Sequence, residues 1–218
     1  MSQRLAEIGV DVHHRHTVGD NLGRIVSVLE LALSRSDVVL ICGGLGPTQD
    51  DLTRESTAAV TGRPLRSDAE AEQHLRGFFA RRGLTPTPNN LKQATLIPSA
   101  IALPNRAGTA PGWWVEKENR IIVLLPGPPV ELQDMWFREV LPRLQSRSGA
   151  VILSRTLKTW GVCEGMVDEF VAPFLGSANP TLGIYAKGDG IHLRITAKAA
   201  NEDEALSLIH ISEPTRPY

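Results

Sequence analysis

The sequence predicts an α/β fold: a three-layer α/β/α domain with a mostly parallel sheet, followed by a small α+β domain. The first observation is that predicted helices and strands alternate along the first part of the chain, which is the pattern of a parallel sheet covered by helices. The second is that two loops rich in glycine and proline, residues 43–48 and 125–129, each join an apolar strand to a helix. The third is a change after about residue 155 to the order strand, helix, strand, strand, which is typical of a separate α+β unit.

The elements of the first domain follow from the spacing of apolar residues. Leu5 and Ile8 have helical spacing, and residues 10–18 alternate like a strand. A helix with one apolar face precedes a buried strand at residues 38–42. That face is made of Leu22, Ile25, Val26, Leu29 and Leu33. Later elements are predicted as helices at 52–60 and 67–82, strands at 112–115 and 120–125, and a helix containing Leu132, Met135, Trp136 and Val140.

The second domain is smaller. A helix at 163–174, strands at 181–186 and 190–198 and a helix from Glu202 are predicted, with residues 146–149 as the linker. The last residues contain two prolines and no periodicity, and they are similar to translated sequencing-adaptor read-through. The predicted divisions are therefore residues 1–148, residues 149–208 and a non-native tail at 209–218.

Composition limits the classes of function. A chain of 218 residues with 42% hydrophobic content can bury a full core. Its net charge of -1 argues against a nucleic-acid partner, and the turn at residues 187–190 carries an acid, Asp189, where a phosphate clamp would need none. Two cysteines give no disulfide framework, which indicates a cytoplasmic protein. No apolar run reaches transmembrane length, so no membrane partner is expected.

The loop after the strand at residues 38–42 has the layout of an anion-binding site. It contains Gly43, Gly44 and Gly46, which let the backbone approach a ligand, and it leads into a helix start, where unpaired N–H groups bind phosphate. The adjacent carboxylates Asp50 and Asp51 would repel phosphate unless a divalent cation bridged the two. They also fit a simpler interpretation.

In that simpler interpretation the carboxylate is a helix cap. Thr48 and Asp51 have the spacing of a capping box, and an aspartate at a helix start stabilises the helix without any ligand. The spacing alone does not distinguish a phosphate site from a helix cap. The second loop, Leu-Pro-Gly-Pro-Pro at residues 125–129, favours the phosphate site, because two such loops after parallel strands lie on the one edge where open α/β sheets bind ligands.

The chain resembles the N-terminal part of the bacterial CinA proteins (competence/damage-inducible protein A), whose main domain is similar to the MoaB/MogA molybdopterin-binding fold. The matching stretches in the main domain are residues 17–21, 43–53, 87–94, 104–112 and 125–129. Residues 160–164 and 179–187 look like the small KH-like middle domain of that family. The resemblance covers nearly the whole chain up to the tail.

The resemblance implies a metal-dependent pyrophosphatase that hydrolyses ADP-ribose to AMP and ribose 5-phosphate, while molybdopterin handling is the activity of the relatives. Asp20, Asp50 and Asp51 would be catalytic, with Asp50 and Asp51 holding a divalent metal ion. The resemblance also implies a set of residues that bind a nucleotide sugar or a pterin nucleotide. They are Gly43, Gly44, Gly46, Thr48, Thr53, Asn90, Gly127 and Pro128. Homo-oligomers are expected from the relatives.

Two departures from the family pattern lead to further expectations. The family begins with a strand and a Gly-x-Glu-Leu-Leu loop ahead of the first helix, and that unit is expected to be missing here. The nicotinamide mononucleotide amidase domain of longer members is also not found in these residues. The alternatives to the hydrolase are therefore a molybdopterin-binding protein of cofactor biosynthesis and an inactive CinA fragment.

Overall fold

The computed structural model describes Leu5, Ile8 and residues 10–148 and 151–211. These residues form two compact units. One unit spans His14–Arg143, and the other contains the described residues from Leu144 onward together with those up to His13. Within the described ranges, no helix is long and apolar enough to cross a membrane.

Side-chain caps mark the start of several helices of the first unit. The helices are α1 (Leu22–Arg35), α2 (Thr53–Thr61), α3 (Ala69–Ala80), α4 (Pro88–Leu91) and α5 (Pro129–Met135), and α6 (Leu141–Ser148) continues into the second unit. Asn21 caps α1 by accepting a hydrogen bond from the Arg24 N–H at 3.1 Å. Asp68 caps α3 through the Ala71 N–H at 2.8 Å. A 3₁₀ turn, Lys92–Ala94, follows α4, and a π-helical segment, Trp136–Val140, joins α5 to α6.

The sheet of the first unit brings the two loops of interest together. Its strands are β1 (Val38–Cys42), β4 (Ala100–Leu103), β5 (Gly112–Lys117) and β6 (Arg120–Leu125), and the short strands β2 (Arg66–Ser67) and β3 (Thr95–Leu96) pair separately. The order is β1-β6-β5-β4. β1 and β6 are parallel, with Val38 opposite Ile121 and Cys42 opposite Leu125, whereas β5 is antiparallel to both of its neighbours. The described sheet is therefore mixed.

The core of this unit lies between the sheet and its helices. Ile122 and Leu124 of β6 and Trp113 and Val115 of β5 are completely buried, and Leu29 and Leu33 of α1 pack in the same cluster. Because both faces of β6 are covered, its sequence is continuously apolar rather than alternating. This packing, together with the pairing of β1 and β6, places the loops that follow these two strands at the same edge of the sheet.

The second unit is a three-stranded sheet covered by two helices. Its elements are β7 (Val151–Thr159), α7 (Glu164–Leu175), β8 (Thr181–Lys187), β9 (Gly190–Ala199) and α8 (Glu202–Ile211). The strand order is β7-β9-β8 and both pairs are antiparallel. Val167 and Val171 of α7 pack on Ile191 and Leu193, and Ile209 of α8 packs further along β9.

One predicted strand was wrong, and the bounds of some other elements differ slightly from the prediction. Residues 10–18 form no strand and are mostly exposed, because alternation makes a strand only where a neighbouring strand can pair with it. α2 begins at Thr53, one residue after the predicted start, and Asp50 and Asp51 lie in the loop before it. Residues 146–148 of the predicted linker are helical, and α8 ends at Ile211. The division into residues 1–148, 149–208 and a non-native tail stays a prediction. Residues 212–218 lie outside the described residues.

Candidate functional site

The loops after β1 and β6 lie side by side at one edge of the sheet. The Gly43 N–H donates to the Leu125 carbonyl at 2.9 Å, which continues the parallel pairing one step past the strands. A Cβ placed on Gly127 would lie 3.6 Å from the Gly43 Cα. The expectation that both loops share one edge is therefore confirmed, and Gly127 and Pro128 are exposed there.

The glycine loop is folded back onto the start of α2. Gly43 and Gly44 have φ values of 96° and 70°, a region that other residues rarely adopt. A Cβ on Gly44 would lie 2.2 Å from the Thr53 Oγ1, so no larger residue fits. That hydroxyl donates to the Gly43 carbonyl at 2.8 Å, and the Thr53 N–H donates to Gly44 at 3.2 Å. Thr53 is buried, so it shapes the loop from behind.

Asp51 closes the same loop. Its Oδ2 accepts hydrogen bonds from the Thr48 N–H at 2.9 Å and the Thr48 hydroxyl at 2.6 Å. A Cβ on Gly46 would lie 2.4 Å from that oxygen, so Gly46 is needed for the carboxylate to fit. Partial burial alone would raise the pKa of Asp51, but the bonds from Thr48 and the Gly46 backbone, with the charge of Arg54, hold that pKa below its ordinary value.

Arg54 supports the loop from inside the protein. It is only 1% exposed, and its two terminal nitrogens donate to the carbonyls of Leu45 and Gly46. Burial lowers the pKa of this guanidinium, and the charges of Glu55 and Asp51 oppose that shift. Arg54 carries no sequence signal of a buried role, because an arginine in the first turn of a helix is usually exposed.

Lys92 ties the loop to the segment after α4. Its Nζ donates to the carbonyls of Thr48 at 3.2 Å and Asp51 at 3.0 Å, and it forms an ion pair with Glu55 at 3.1 Å. The buried side chain of Gln93 adds a longer bond to Leu45 at 3.4 Å. These residues lie within the Thr-Pro-Asn-Asn-Leu-Lys-Gln-Ala stretch at residues 87–94, where only Asn90 was predicted to belong to the site.

A second buried network holds the wall beside the Pro-Gly-Pro-Pro loop. The Asn105 amide donates to the Glu131 carboxylate at 2.7 Å and to the Ala110 carbonyl at 2.9 Å, while its oxygen accepts from the Gly108 N–H at 2.8 Å. A Cβ on Gly108 would lie 2.1 Å from the Glu131 Oε2. Residues 105–110 are thereby locked against the first turn of α5. The Asn-Arg-Ala-Gly-Thr-Ala stretch could have signalled this, since asparagine often closes turns.

The remaining predicted site residues take separate positions. Asp20 is exposed beside the cap of α1, and Asp50 is exposed in the glycine loop. Asn90 uses its side-chain oxygen within α4, where it accepts from the Thr87 N–H at 2.9 Å and the Thr87 hydroxyl at 2.8 Å. The two loops and Asp51 are therefore brought together, while Asn90 is engaged in a capping box of its own.

The carboxylates do not form a preassembled metal site. In the part of the chain that the structure describes, no group of three or more His, Cys, Asp or Glu side chains is placed to hold a metal ion. One oxygen of Asp51 already accepts two hydrogen bonds from Thr48. Magnesium-like ions are often held by one or two carboxylates plus ligand phosphates, so the exposed Asp50 fits such an ion only together with a bound phosphate.

Two family models match successive parts of this chain. Residues 1–146 match the family model described as "Probable molybdopterin binding domain", and residues 154–214 match the "Damage-inducible protein CinA KH domain". The chain is 45% identical to a CinA-like protein of Deinococcus radiodurans and 43% identical to one of Dictyoglomus thermophilum, covering 96% of this chain in both. It spans 52% and 51% of those relatives, which is about half their length.

A solved structure supports the same assignment. The crystal structure of "the protein CinA with unknown function from Thermoplasma acidophilum" is 33% identical, with a TM-score of 0.60, over 64% of this chain and 82% of that one. The first unit has a mixed α/β fold and matches the family model of a probable molybdopterin binding domain, and a small α+β unit follows it. With both family models matched in this order, the chain belongs to the CinA family.

Proposed function

We propose that the edge formed by the loops after β1 and β6 binds a small phosphate-bearing ligand of the pterin-nucleotide or nucleotide-sugar class. The observation that carries this proposal is the adjacency of the two loops at the carboxyl ends of parallel neighbouring strands. Open α/β sheets bind ligands in that position. The family of the first unit supports a pterin-type ligand.

The construction of the loops supports the same proposal. Thr53, Arg54 and Lys92 hold the glycine loop from behind, so its backbone is fixed before a ligand arrives. A preformed loop binds more tightly because less conformational entropy is lost on binding. The buried Arg54 also adds a positive charge behind the loop, which favours an anion and offsets the charge of Asp51.

Hydrolysis of ADP-ribose is the second candidate, and the exposed carboxylate of Asp50 beside the loop favours it. In this reaction the oxygen of water bonds to one phosphorus atom, the bridging P–O bond breaks, and the bridging oxygen leaves on the other phosphate. The products are AMP and ribose 5-phosphate. A divalent ion held by Asp50 and the ligand phosphates would supply charge neutralisation and an activated water.

One experiment separates the candidates. The protein is titrated with ADP-ribose and with a molybdopterin nucleotide by calorimetry, and the ADP-ribose mixture with Mg²⁺ is analysed for AMP by chromatography. AMP formation supports the hydrolase, whereas pterin binding without turnover supports the binding protein. If neither ligand binds and no AMP forms, both proposals are wrong.

A glycine variant tests whether the loops form the site. Gly127→Ala adds a methyl group that meets Gly43 only at an ordinary contact distance, so the fold should be retained while ligand affinity falls at least tenfold. Gly165→Ala is the matched control, because nothing lies within 4 Å of its added Cβ. Equal affinity in the two variants would place the ligand elsewhere.

Homo-oligomer formation, expected from the relatives, is measured by light scattering.

A further inference from the structure

A small cavity lies at the end of the first unit's sheet that is opposite to the glycine loop. It is bounded by the last turns of α1 and α2 and by the turn between β5 and β6. β6 begins at Arg120, which lines the cavity, and ends at Leu125, where the Pro-Gly-Pro-Pro loop starts. Six residues of strand separate the two places by about 17 Å. The cavity is therefore distinct from the proposed phosphate site.

The size and the floor of the cavity limit what it can bind. Its volume is about 260 Å³. Pockets for drug-sized ligands have roughly 300–1,000 Å³, so this cavity fits a smaller molecule than a nucleotide. Leu33 is 6% exposed and belongs to the apolar core cluster, and Val60 packs against the same cluster. These two lining residues give the cavity an apolar floor.

Charged side chains surround this floor. The Lys117 Nζ is already engaged, because it donates to the Val60 carbonyl at 2.9 Å. The side chains of Glu30, Glu118 and Arg120 also line the cavity, and none of them forms a hydrogen bond or ion pair with another described residue. Both helices end here, and helix C-termini carry a partial negative charge that favours a cation. The lining thus offers one guanidinium for an anion, and two carboxylates with two helix ends for a cation.

The backbone at Glu118 is an independent sign of function. Lys117 pairs with Arg120, so Glu118 and Asn119 form the two-residue loop of a β-hairpin. Glu118 has a φ of 56° and is the one non-glycine residue with positive φ among the described residues. Glycine, asparagine and aspartate are preferred at such positions, and glutamate is not. Strained residues of this kind cluster at functional sites, which indicates that the Glu118 carboxylate serves the cavity beside it.

We propose that this cavity binds a small zwitterion, an α-amino acid with an apolar side chain. Its carboxylate binds the Arg120 guanidinium, whose planar fork matches the two oxygens. Its ammonium group lies between Glu30 and Glu118 at the helix ends, and its side chain lies on Leu33 and Val60. A lining with unpaired groups of both signs favours a molecule that carries both charges over a simple anion or cation. The proposal does not depend on the ligand of the glycine loop.

The test is an NMR titration of the isotope-labelled full chain with L-leucine. Two analogues each lack one charged group: isocaproate keeps the carboxylate, and isoamylamine keeps the ammonium group. Leucine should cause saturable shifts in the amides of residues 117–120. It should bind at least tenfold more tightly than either analogue, because each analogue loses one charge-assisted contact.

Two variants assign the two charges of the ligand. Arg120→Gln should weaken leucine and isocaproate binding at least tenfold and leave isoamylamine binding unchanged. Glu118→Gly should weaken leucine and isoamylamine binding and leave isocaproate binding unchanged, while glycine accepts the positive φ and preserves the turn. Asn119→Gly is the matched control in the same turn, since Asn119 does not line the cavity. Arg81→Gln, at an exposed arginine that follows α3, is the control for the lost charge.

Circular dichroism confirms that each variant is folded. The proposal is overturned if leucine causes no saturable shift, or if the shifts occur at residues 43–48 and 125–129, which would put the amino acid at the glycine loop. It is also overturned if both analogues bind as tightly as leucine, which would identify a purely apolar cavity. Equal weakening of all three ligands by Arg120→Gln would likewise contradict it, because the loss would then come from altered packing rather than from one charged contact.

Discussion

Replacing Arg54 by methionine should destabilise the first unit, because this buried arginine holds the glycine loop. Its two terminal nitrogens donate to Leu45 and Gly46, the second bond at 2.6 Å. Methionine retains the apolar stem but donates no hydrogen bond. The two carbonyls would then be left inside the protein without this donor.

The size of the effect follows from these contacts. Two hydrogen bonds to a charged group contribute about 1.5 to 3 kcal/mol each, or about 3 to 6 kcal/mol together. Two costs of the native arrangement offset part of this. The guanidinium is desolvated, which is why its pKa is lowered, and its Nε has no hydrogen-bond partner among the described residues. We therefore expect Arg54→Met to lower the free energy of unfolding by about 3 kcal/mol.

Tryptophan fluorescence during urea unfolding measures this change selectively. Trp113, Trp114 and Trp136 lie in the first unit and are 0 to 2% exposed, whereas Trp160 of the second unit is 83% exposed and changes little on unfolding. The signal therefore reports the unit that contains Arg54. The control is Arg63→Met, a change at an exposed position shortly after α2 that should cost less than about 0.5 kcal/mol.

Two results would refute the reasoning. One is a loss below about 1 kcal/mol for Arg54→Met, which would mean that water or a rearranged loop satisfies both carbonyls. The other is an equal loss in Arg63→Met, which would attribute the effect to charge rather than to the buried contacts. Arg54→Lys should be intermediate, because lysine keeps the charge but lacks the fork that reaches both carbonyls.

Three further outcomes are expected. By NMR titration the pKa of Asp51 should lie below 3.8, its ordinary value. The hydrogen bonds to the ionised carboxylate then stabilise the folded protein above pH 3.8, and this stabilisation is lost as the pH falls through the lowered pKa. Thr48→Val should raise the pKa of Asp51, because it removes one of these donors. Gly46→Ala should cost about 1 to 3 kcal/mol in urea unfolding, since its Cβ would collide with the Asp51 carboxylate, whereas Gly165→Ala should be neutral or stabilising, and equal effects would contradict this. Glu131→Ala should cost about 1 to 3 kcal/mol, because it removes an acceptor from a buried amide, and an unchanged urea midpoint would show that the amide finds another partner.

The strands and loops of the first unit could be predicted because their signals are local. β6 occupies residues 120–125 and β1 occupies residues 38–42, both as predicted. A short apolar run bounded by polar or glycine residues identifies a buried strand from neighbouring residues alone. Residues 10–18 show the limit of such patterns. Their alternation is as regular as that of a strand, but strands need a pairing neighbour, and sequence periodicity does not supply one.

The supports of the site could not be predicted, because their partners are far apart in the chain. Lys92 bonds to the Asp51 carbonyl 41 residues away, and Asn105 bonds to Glu131 26 residues away. Spacing rules reach only a turn or two of chain, so they did not predict these two contacts. The same rules did suggest the short-range pair of Thr48 and Asp51, and the structure contains that hydrogen bond. Metal binding and ADP-ribose hydrolysis stay predictions.

The sequence by itself determined the positions of the two glycine and proline loops and the family of the chain, because both are recognised from patterns of consecutive residues. The tertiary structure decided what the side chains around them do. It buried Arg54 behind the glycine loop and brought Lys92 to the carbonyl of Asp51. Those outcomes depend on which distant residues meet, and meeting is set by how the strands pair and the helices pack.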